Sequence, residues 1–341
     1  MTHPVQEPVR TIKGVSYVQA FATNIDFDQK QISCIDLYEH FENDVKMPRN
    51  KFNLPYDKLV IACGTKSHTF GVPGIVSEEE DFEHNPTGTN RHNVFFLKQL
   101  EHARALRNRI IECFERASSN NCTEKERQRL LTFLVVGGGP TSIEFTSELH
   151  DFLTNDVSRW YPELGNKSSV ILVEAGKHLL GTFDEGLSSY VEKLFAKRNV
   201  TIMTEAAVSK MEGNTVTLSS GKEIPFGVCV WSTGNTALDF VNELNLPLSK
   251  NKRILVDDRL KVEGIENVYA IGDCAVSREE PLPMIAQAAK QQAVYLGKVF
   301  NKNLDKPFKF LFLGSMTQLG MVSHPSRSES IRVNFWSQTL K

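Results

Sequence analysis

The chain has 341 residues, of which 40% are hydrophobic and 23% charged, a soluble globular composition long enough for two domains. Its formal net charge of −2 argues against nucleic acid as a partner, since no broad positive footprint is available. Six scattered cysteines without a C-x-x-C pair exclude a zinc ribbon of ordinary spacing and a close-spaced redox dithiol, and no metal site is expected.

Met1–Arg10 is polar and does not read as a signal peptide. Val15–Thr23 and Gln31–Asp36 alternate as antiparallel strands do, with polar Asp26–Lys30 between them. Lys58–Ala62 follows as an apolar strand that ends in Cys63-Gly64-Thr65. Glu78–Glu83 reads as a solvated loop, and the basic run His102–Arg129 as the exposed side of one or two helices. Thr132–Gly137 is a continuous apolar run, as a buried parallel strand requires, followed by a glycine-rich turn and a helical pattern from Thr141 to about Leu153. Asn155–Lys167 has the look of a polar insertion ahead of a second apolar strand, Ser169–Val173, which ends at Glu174. Ala206–Pro225 reads as short alternating strands, and Val228–Trp231 as an apolar strand that ends in Ser232-Thr233-Gly234. A strand from Val268 ends in Gly272-Asp273, and Pro283–Phe300 is an alanine-rich helical pattern. The apolar stretch from Phe310 to Val322 is broken by Gly314, Ser315, Gln318 and Gly320 and is too interrupted for a membrane span.

Two of these stretches share a plan, a meander followed by an apolar strand ending in small residues. The later one is preceded by a strand, a glycine turn and a helix; the earlier one is not, so the chain opens in the middle of a module. Small residues at such strand ends let the backbone pass close to a dinucleotide, although short strand patterns can also resemble one another by chance.

Gly137-Gly138-Gly139-Pro140-Thr141-Ser142 lies between a strand and a helix, the context that turns a glycine-rich match into a dinucleotide fingerprint. Gly137 permits the tight turn, Gly139 lets the backbone approach a pyrophosphate at the helix N-terminus, and Pro140 suits the first helical turn. Ser142 stands where a third glycine is usual, so helix and strand must pack around a hydroxyl. Glu174 would accept hydrogen bonds from both ribose hydroxyls of NAD and repel the 2′-phosphate of NADP; the bland alternative is an ordinary strand-end carboxylate. Gly272-Asp273 can hold the ribityl and pyrophosphate region of a flavin, or simply end a strand in a turn. Gln287 and Gln291 are four apart and share a face of the alanine-rich helix, whose N-terminal dipole could stabilise negative charge on a reduced flavin; an amphipathic core helix is the alternative.

Together, Y-D-K-L-V-I-A-C-G at Tyr56–Gly64, V-V-G-G-G-P-T-S-I-E at Val135–Glu144, V-W-S-T-G-N at Val230–Asn235, V-Y-A-I-G-D-C-A at Val268–Ala275 and A-Q-A-A-K-Q-Q at Ala286–Gln292 resemble the type II (alternative, non-proton-pumping) NADH:quinone oxidoreductases. The similarity runs from about Glu7 to about Gly320 and includes a long helical connector at Val94–Arg116. The resemblance implies an α/β, two-dinucleotide-binding (Rossmann-like) flavoprotein fold with antiparallel meanders. In that scheme residues 1–93 are a partial FAD-binding domain lacking its first βαβ unit, 94–235 the NAD(H)-binding domain, 236–309 the return to the FAD domain, and 310–341 the remnant of a membrane-associating region.

By the same resemblance, NADH lies along Gly137, Gly139, Pro140, Thr141, Ser142, Glu174 and Gly234, with Glu144 near nicotinamide and flavin. FAD is held by Ala62, Gly64, Gly272 and Asp273, and Gln287 and Gln291 border the flavin and the quinone headgroup. NADH is oxidised through FAD and the electrons pass to quinone. The family implies a mitochondrial, inner-membrane peripheral location and a membrane surface as partner, and leaves a homodimer open. No targeting peptide is expected in this chain, which reads as truncated at both ends. The competing expectations are a related flavoprotein reductase with a protein acceptor and an inactive NAD-binding or interaction protein.

Overall fold

The computed structural model describes Val9 and residues 11–37, 40–42, 45–76, 93–302, 305–314, 317 and 319. The chain divides into two compact units, one of Met1–Thr65 with Ala237–Phe310, the other of Lys66–Thr236 with Leu311–Lys341. Glu78–Glu83 and the tail from Ser323 lie outside the described residues.

The first unit opens with a meander. Strands β1 (Ala20–Asp26), β2 (Gln31–Asp36) and β5 (Lys51–Pro55) form a three-stranded antiparallel sheet, with the short pair β3 (His40–Glu42) and β4 (Val45–Met47) between the last two. The β1–β2 turn is set by Asp26, whose carboxylate accepts from the N–H groups of Asp28 and Gln29 at 3.0 and 2.8 Å, the usual use of aspartate at a turn. β1 starts at Ala20, later than alternation suggests, where Val15, Tyr17 and Val18 are exposed and add no buried face to the meander. Strand β6 (Leu59–Ile61) follows and runs parallel to a strand from the end of the chain.

In the second unit β7 (Lys66–Ser67) leads to β8 (Val94–Phe96) and helices α1 (Leu100–Ser118) and α2 (Glu124–Leu130). The expected helical connector thus begins as a strand. Val94, Phe95 and Phe96 are all buried, and a β-branched and aromatic triplet packed on both faces suits a parallel sheet better than a helix with one wet side. Nor is the basic run wholly exposed. Arg109 is 9% exposed and reaches Glu112 at 2.5 Å. Next come β9 (Thr132–Val136), α3 (Pro140–Phe152), β10 (Ser169–Val173), α4 (Glu185–Lys197) and β11 (Val200–Met203). The insertion continues α3 as a π-helical turn, Leu153–Val157, with Leu153 and Val157 buried. A second antiparallel meander, β12 (Val208–Glu212), β13 (Thr215–Leu218) and β14 (Glu223–Pro225), feeds β15 (Val228–Trp231), and β16 (Asn235–Thr236) closes on β7.

The five parallel strands lie in the order β11-β10-β9-β15-β8. Their two faces are filled by separate apolar clusters, one around Phe114, Phe133 and Phe195, the other around Phe226, Trp231 and Met211. This is the layered solution open to a sheet whose strands are apolar throughout.

The chain then returns to the first unit with α5 (Asp239–Glu243), β17 (Ile254–Val256), β18 (Val268–Ala270), β19 (Ala275–Ser277) and α6 (Ala286–Lys302). β18 pairs with β6 and β17 with β19, both in parallel. Helix α6 begins at Ala286 and not at Pro283. Its buried stripe is Ala288, Gln292, Tyr295 and Leu296, at the 3.6-residue period.

Candidate functional site

In the second unit the strand order reverses between β9 and β15, since β9 leads through α3 to β10 on one side while β15 joins on the other. Open α/β sheets bind ligands at such a crevice beyond the carboxyl ends of the strands. Gly137–Gly139 extend from β9 into this crevice and Ser232-Thr233-Gly234 extend from β15.

The glycine loop is held by its neighbours. The carboxylate of Glu174 accepts hydrogen bonds from the N–H groups of Gly138 and, at 2.6 Å, of Gly176. A Cβ on Gly138 would come within 2.8 Å of that carboxylate, so no larger residue fits while Glu174 keeps this position. Gly139 differs, because a Cβ there would meet nothing within 4 Å. It caps α3 without any side-chain hydrogen bond, and Pro140 follows as the first helical residue. The protein itself imposes no steric demand for glycine at 139, as expected if the space is reserved for a ligand. Thr141 is exposed beside it, and Glu144 is half-buried one turn further along α3.

Ser142 is fully buried, and its hydroxyl lies 2.6 Å from that of Ser232. The hydroxyl that replaces the third glycine is therefore satisfied by a partner at the end of β15. Gly234 takes φ +71°, a left-handed conformation, and a Cβ on it would strike the ring of Phe70 at 2.5 Å. Phe70 stands edge-on to His68, whose carbonyl accepts from the Trp231 indole at 3.0 Å. A cavity of about 200 Å³ opens here, lined by Gly137, Val173, Glu174, Thr233 and Phe70 among others.

The remaining expected residues belong to the first unit. Ala62 and Gly64 lie just past the end of β6, Gly272 and Asp273 just past β18, its hydrogen-bonded neighbour. Gly64 has φ +73° and open space around it. Gly272 donates its N–H to the Gln292 side chain at 2.7 Å. The Asp273 carboxylate takes no hydrogen bond from any described residue, which leaves it able to accept from a ligand hydroxyl. Gln287 and Gln291 are both half-buried on one face of α6. Next to the turn, the Cys274 thiol donates to the Ile61 and Ile271 carbonyls at 3.6 and 3.2 Å, and interaction with the Cys63 thiol lowers its pKa while raising that of Cys63.

Four participants escaped the sequence. Gln292 stood in the A-Q-A-A-K-Q-Q motif with no role of its own. Ser232 and Phe70 are recruited by packing alone, and Arg253 is one basic residue before an apolar strand. Nothing local to these residues marks them; Gln292, Ser232 and Arg253 bond groups 20 to 90 residues away, and Phe70 packs against Gly234 of a distant strand end.

The fold and the glycine-lined crevice define a Rossmann-type protein with the geometry of a dinucleotide site. Residues 6–293 match the pyridine nucleotide-disulphide oxidoreductase family, and the chain belongs to it. It belongs, within that family, to the type II NADH dehydrogenases. A probable NADH dehydrogenase of Dictyostelium discoideum is 39% identical over 94% of this chain and 68% of its own length. The mitochondrial external NADH-ubiquinone oxidoreductase 2 of Saccharomyces cerevisiae is 36% identical over 88% of this chain and 53% of its own. The mitochondrial internal alternative NAD(P)H-ubiquinone oxidoreductase A1 of Solanum tuberosum is 34% identical over 93% and 63%. The chain thus spans about half to two thirds of the length of these curated relatives. The solved structure of NDH2 from Plasmodium falciparum in complex with NADH shares the fold, with a TM-score of 0.77 at 23% identity, over 89% of this chain and 74% of that one.

Proposed function

We propose that the protein oxidises NADH with the help of FAD and delivers the electrons to a quinone. The observation that carries this reading is the crevice at the β9–β15 reversal, where Glu174 is fixed on two backbone N–H groups beside a helix N-terminus whose Gly139 faces open space. Family membership and the names of the quinone-reducing relatives support the same reading.

In this reading the N–H groups of Thr141 and Ser142 at the start of α3 hold the NADH pyrophosphate, favoured by the helix dipole. Glu174 accepts from the adenosine ribose hydroxyls and disfavours a 2′-phosphate. Thr233 and Gly234 border the nicotinamide half, and Glu144 orients it. In the first unit, Ala62 and Gly64 allow close passage of FAD, and Gly272 and Asp273 hold its ribityl chain; the unengaged Asp273 carboxylate fits that role. Bound FAD supplies the two-electron relay between nicotinamide and quinone. Gln287 and Gln291 border the quinone headgroup by hydrogen bonding. We also infer a mitochondrial location, with the protein seated peripherally on the inner membrane; the mitochondrial relatives support the first of these. Among the described residues no helix is long and apolar enough to cross a membrane.

The test is an absorbance spectrum of the purified chain with and without added FAD, followed by NADH and a soluble ubiquinone analogue. Flavin bands that bleach with NADH and return with quinone are the expected result. NADH binding without retained flavin would overturn the catalytic reading and leave a nicotinamide-binding protein. Bleaching with no recovery on quinone would point to a protein acceptor.

A further inference from the structure

Arg253 is the last residue before β17 and is 8% exposed. Its own backbone is pinned, with its N–H donating to the Ser249 hydroxyl at 3.1 Å and its carbonyl accepting from Ser249 at 2.8 Å. The guanidinium then forks onto three carbonyls. Nε donates to Asp273 at 2.9 Å, Nη2 to Ala275, and Nη1 to Leu282 at 3.3 Å. Two of these acceptors flank Cys274 in the turn after β18, and the third lies in the proline-bound approach to α6.

No carboxylate stands within ion-pair distance of Arg253 among the described residues, although the Asp273 charge is near enough to favour the cation. Burial opposes the charge and lowers the pKa of the group. Burying a cation against neutral carbonyls is a costly way to brace a turn, and a neutral donor would do the bracing at less expense. The charge therefore has an electrostatic consequence at the turn as well as a geometric one. From the opposite side Gln292 of α6 accepts from Gly272, so the Gly-Asp turn is gripped from the β17 side and from the helix.

We propose that Arg253 is a positioning residue for the flavin: it locks the Gly272–Asp273 turn to the start of α6 and places a buried positive charge beside both. The inference rests on the flavin reading above. Its planar fork meets three acceptors at once, which a lysine ammonium at the end of a flexible stem cannot reproduce. The charge favours an anionic ligand, and favours reduced flavin, which gains negative charge, over oxidised.

The experiment compares the parent chain with Arg253→Lys and Arg253→Gln. It measures FAD affinity by flavin fluorescence, the midpoint potential of the bound flavin, and thermal unfolding without FAD. Arg253→Lys should still unfold cooperatively but bind FAD at least about tenfold more weakly, with a potential close to the parent's, because the charge stays and the fork is lost. Arg253→Gln should bind more weakly still and lower the potential by about 30 mV for each tenfold loss in preference for reduced over oxidised flavin. If Arg253→Lys binds FAD with the parent's affinity, or if a folded Arg253→Gln keeps the parent's potential, the inference falls. A parent chain that takes up no FAD would overturn the flavin reading itself, a result distinct from either of these.

Discussion

Two segments of this protein are built to one plan and meet different fates. In the first unit the β1-β2-β5 meander feeds β6, and in the second the β12-β13-β14 meander feeds β15. Both strands end in small residues and a left-handed glycine, Gly64 at φ +73° and Gly234 at φ +71°. Their surroundings differ. β15 lies between β9 and β8, and every residue of it is buried. β6 pairs with β18 alone among the described residues, and Val60 at its centre is 36% exposed. Similar local sequence thus produces similar backbone, while the number of neighbouring strands decides how much burial stabilises it.

If that difference is real, equivalent substitutions must separate the two segments. The largest effect belongs to Trp231→Ala, which empties a fully enclosed site and strands the His68 carbonyl. A loss of about 3–5 kcal/mol is expected, read as a lower urea midpoint for the second unit. Gly234→Ala should follow. Left-handed strain of about 1–2 kcal/mol falls on Gly64→Ala and Gly234→Ala alike, but only the second also collides with the Phe70 ring and the His68 Cβ. Equal losses at the two glycines would contradict the packing described here. Valine offers a cleaner pair, because Val230→Ala removes buried surface worth about 1.5–2 kcal/mol, whereas Val60→Ala at a partly wet site should stay within about 0.5 kcal/mol. Chemical denaturation of both variants in one buffer decides it.

The smallest effect concerns the tie between α2 and the end of the second meander, where Arg129 donates to the Phe226 carbonyl at 2.7 Å and to Glu126. Hydrogen bonding to Arg129 holds the Glu126 carboxyl below its ordinary value. A carboxylate depressed in the folded state contributes stability above its unfolded pKa of about 4.3. That contribution disappears as pH falls through the folded value. The pair is partly exposed, so Glu126→Gln should cost under about 1 kcal/mol at pH 7 and flatten the acid limb of the stability curve. An unchanged acid limb would show that the tie contributes nothing measurable.

Much of the fold was legible because period and punctuation are local. Ser169–Val173 and Val228–Trp231 are strands as read, since uninterrupted apolar runs of that length suit a buried parallel strand. Val94–Phe96 was misjudged as helical because three apolar residues carry no period, and only packing against β15 makes them a strand. The glycine loop and Glu174 were legible because a dinucleotide needs them at set places on one βαβ unit. The residues that grip these features were not. Ser232 answers Ser142 across 90 residues, and Arg253 answers Asp273 across 20.

The amino-acid sequence by itself determined the class of fold, the two repeated strand endings and the family, because hydrophobic periodicity, turn chemistry and glycine placement act over a few residues. Only the tertiary structure decided which strand end is buried, which hydroxyl satisfies Ser142 and which cation braces the Gly-Asp turn. Those outcomes depend on backbone carbonyls and side chains brought together from distant parts of the chain, and no local pattern encodes the distance between them.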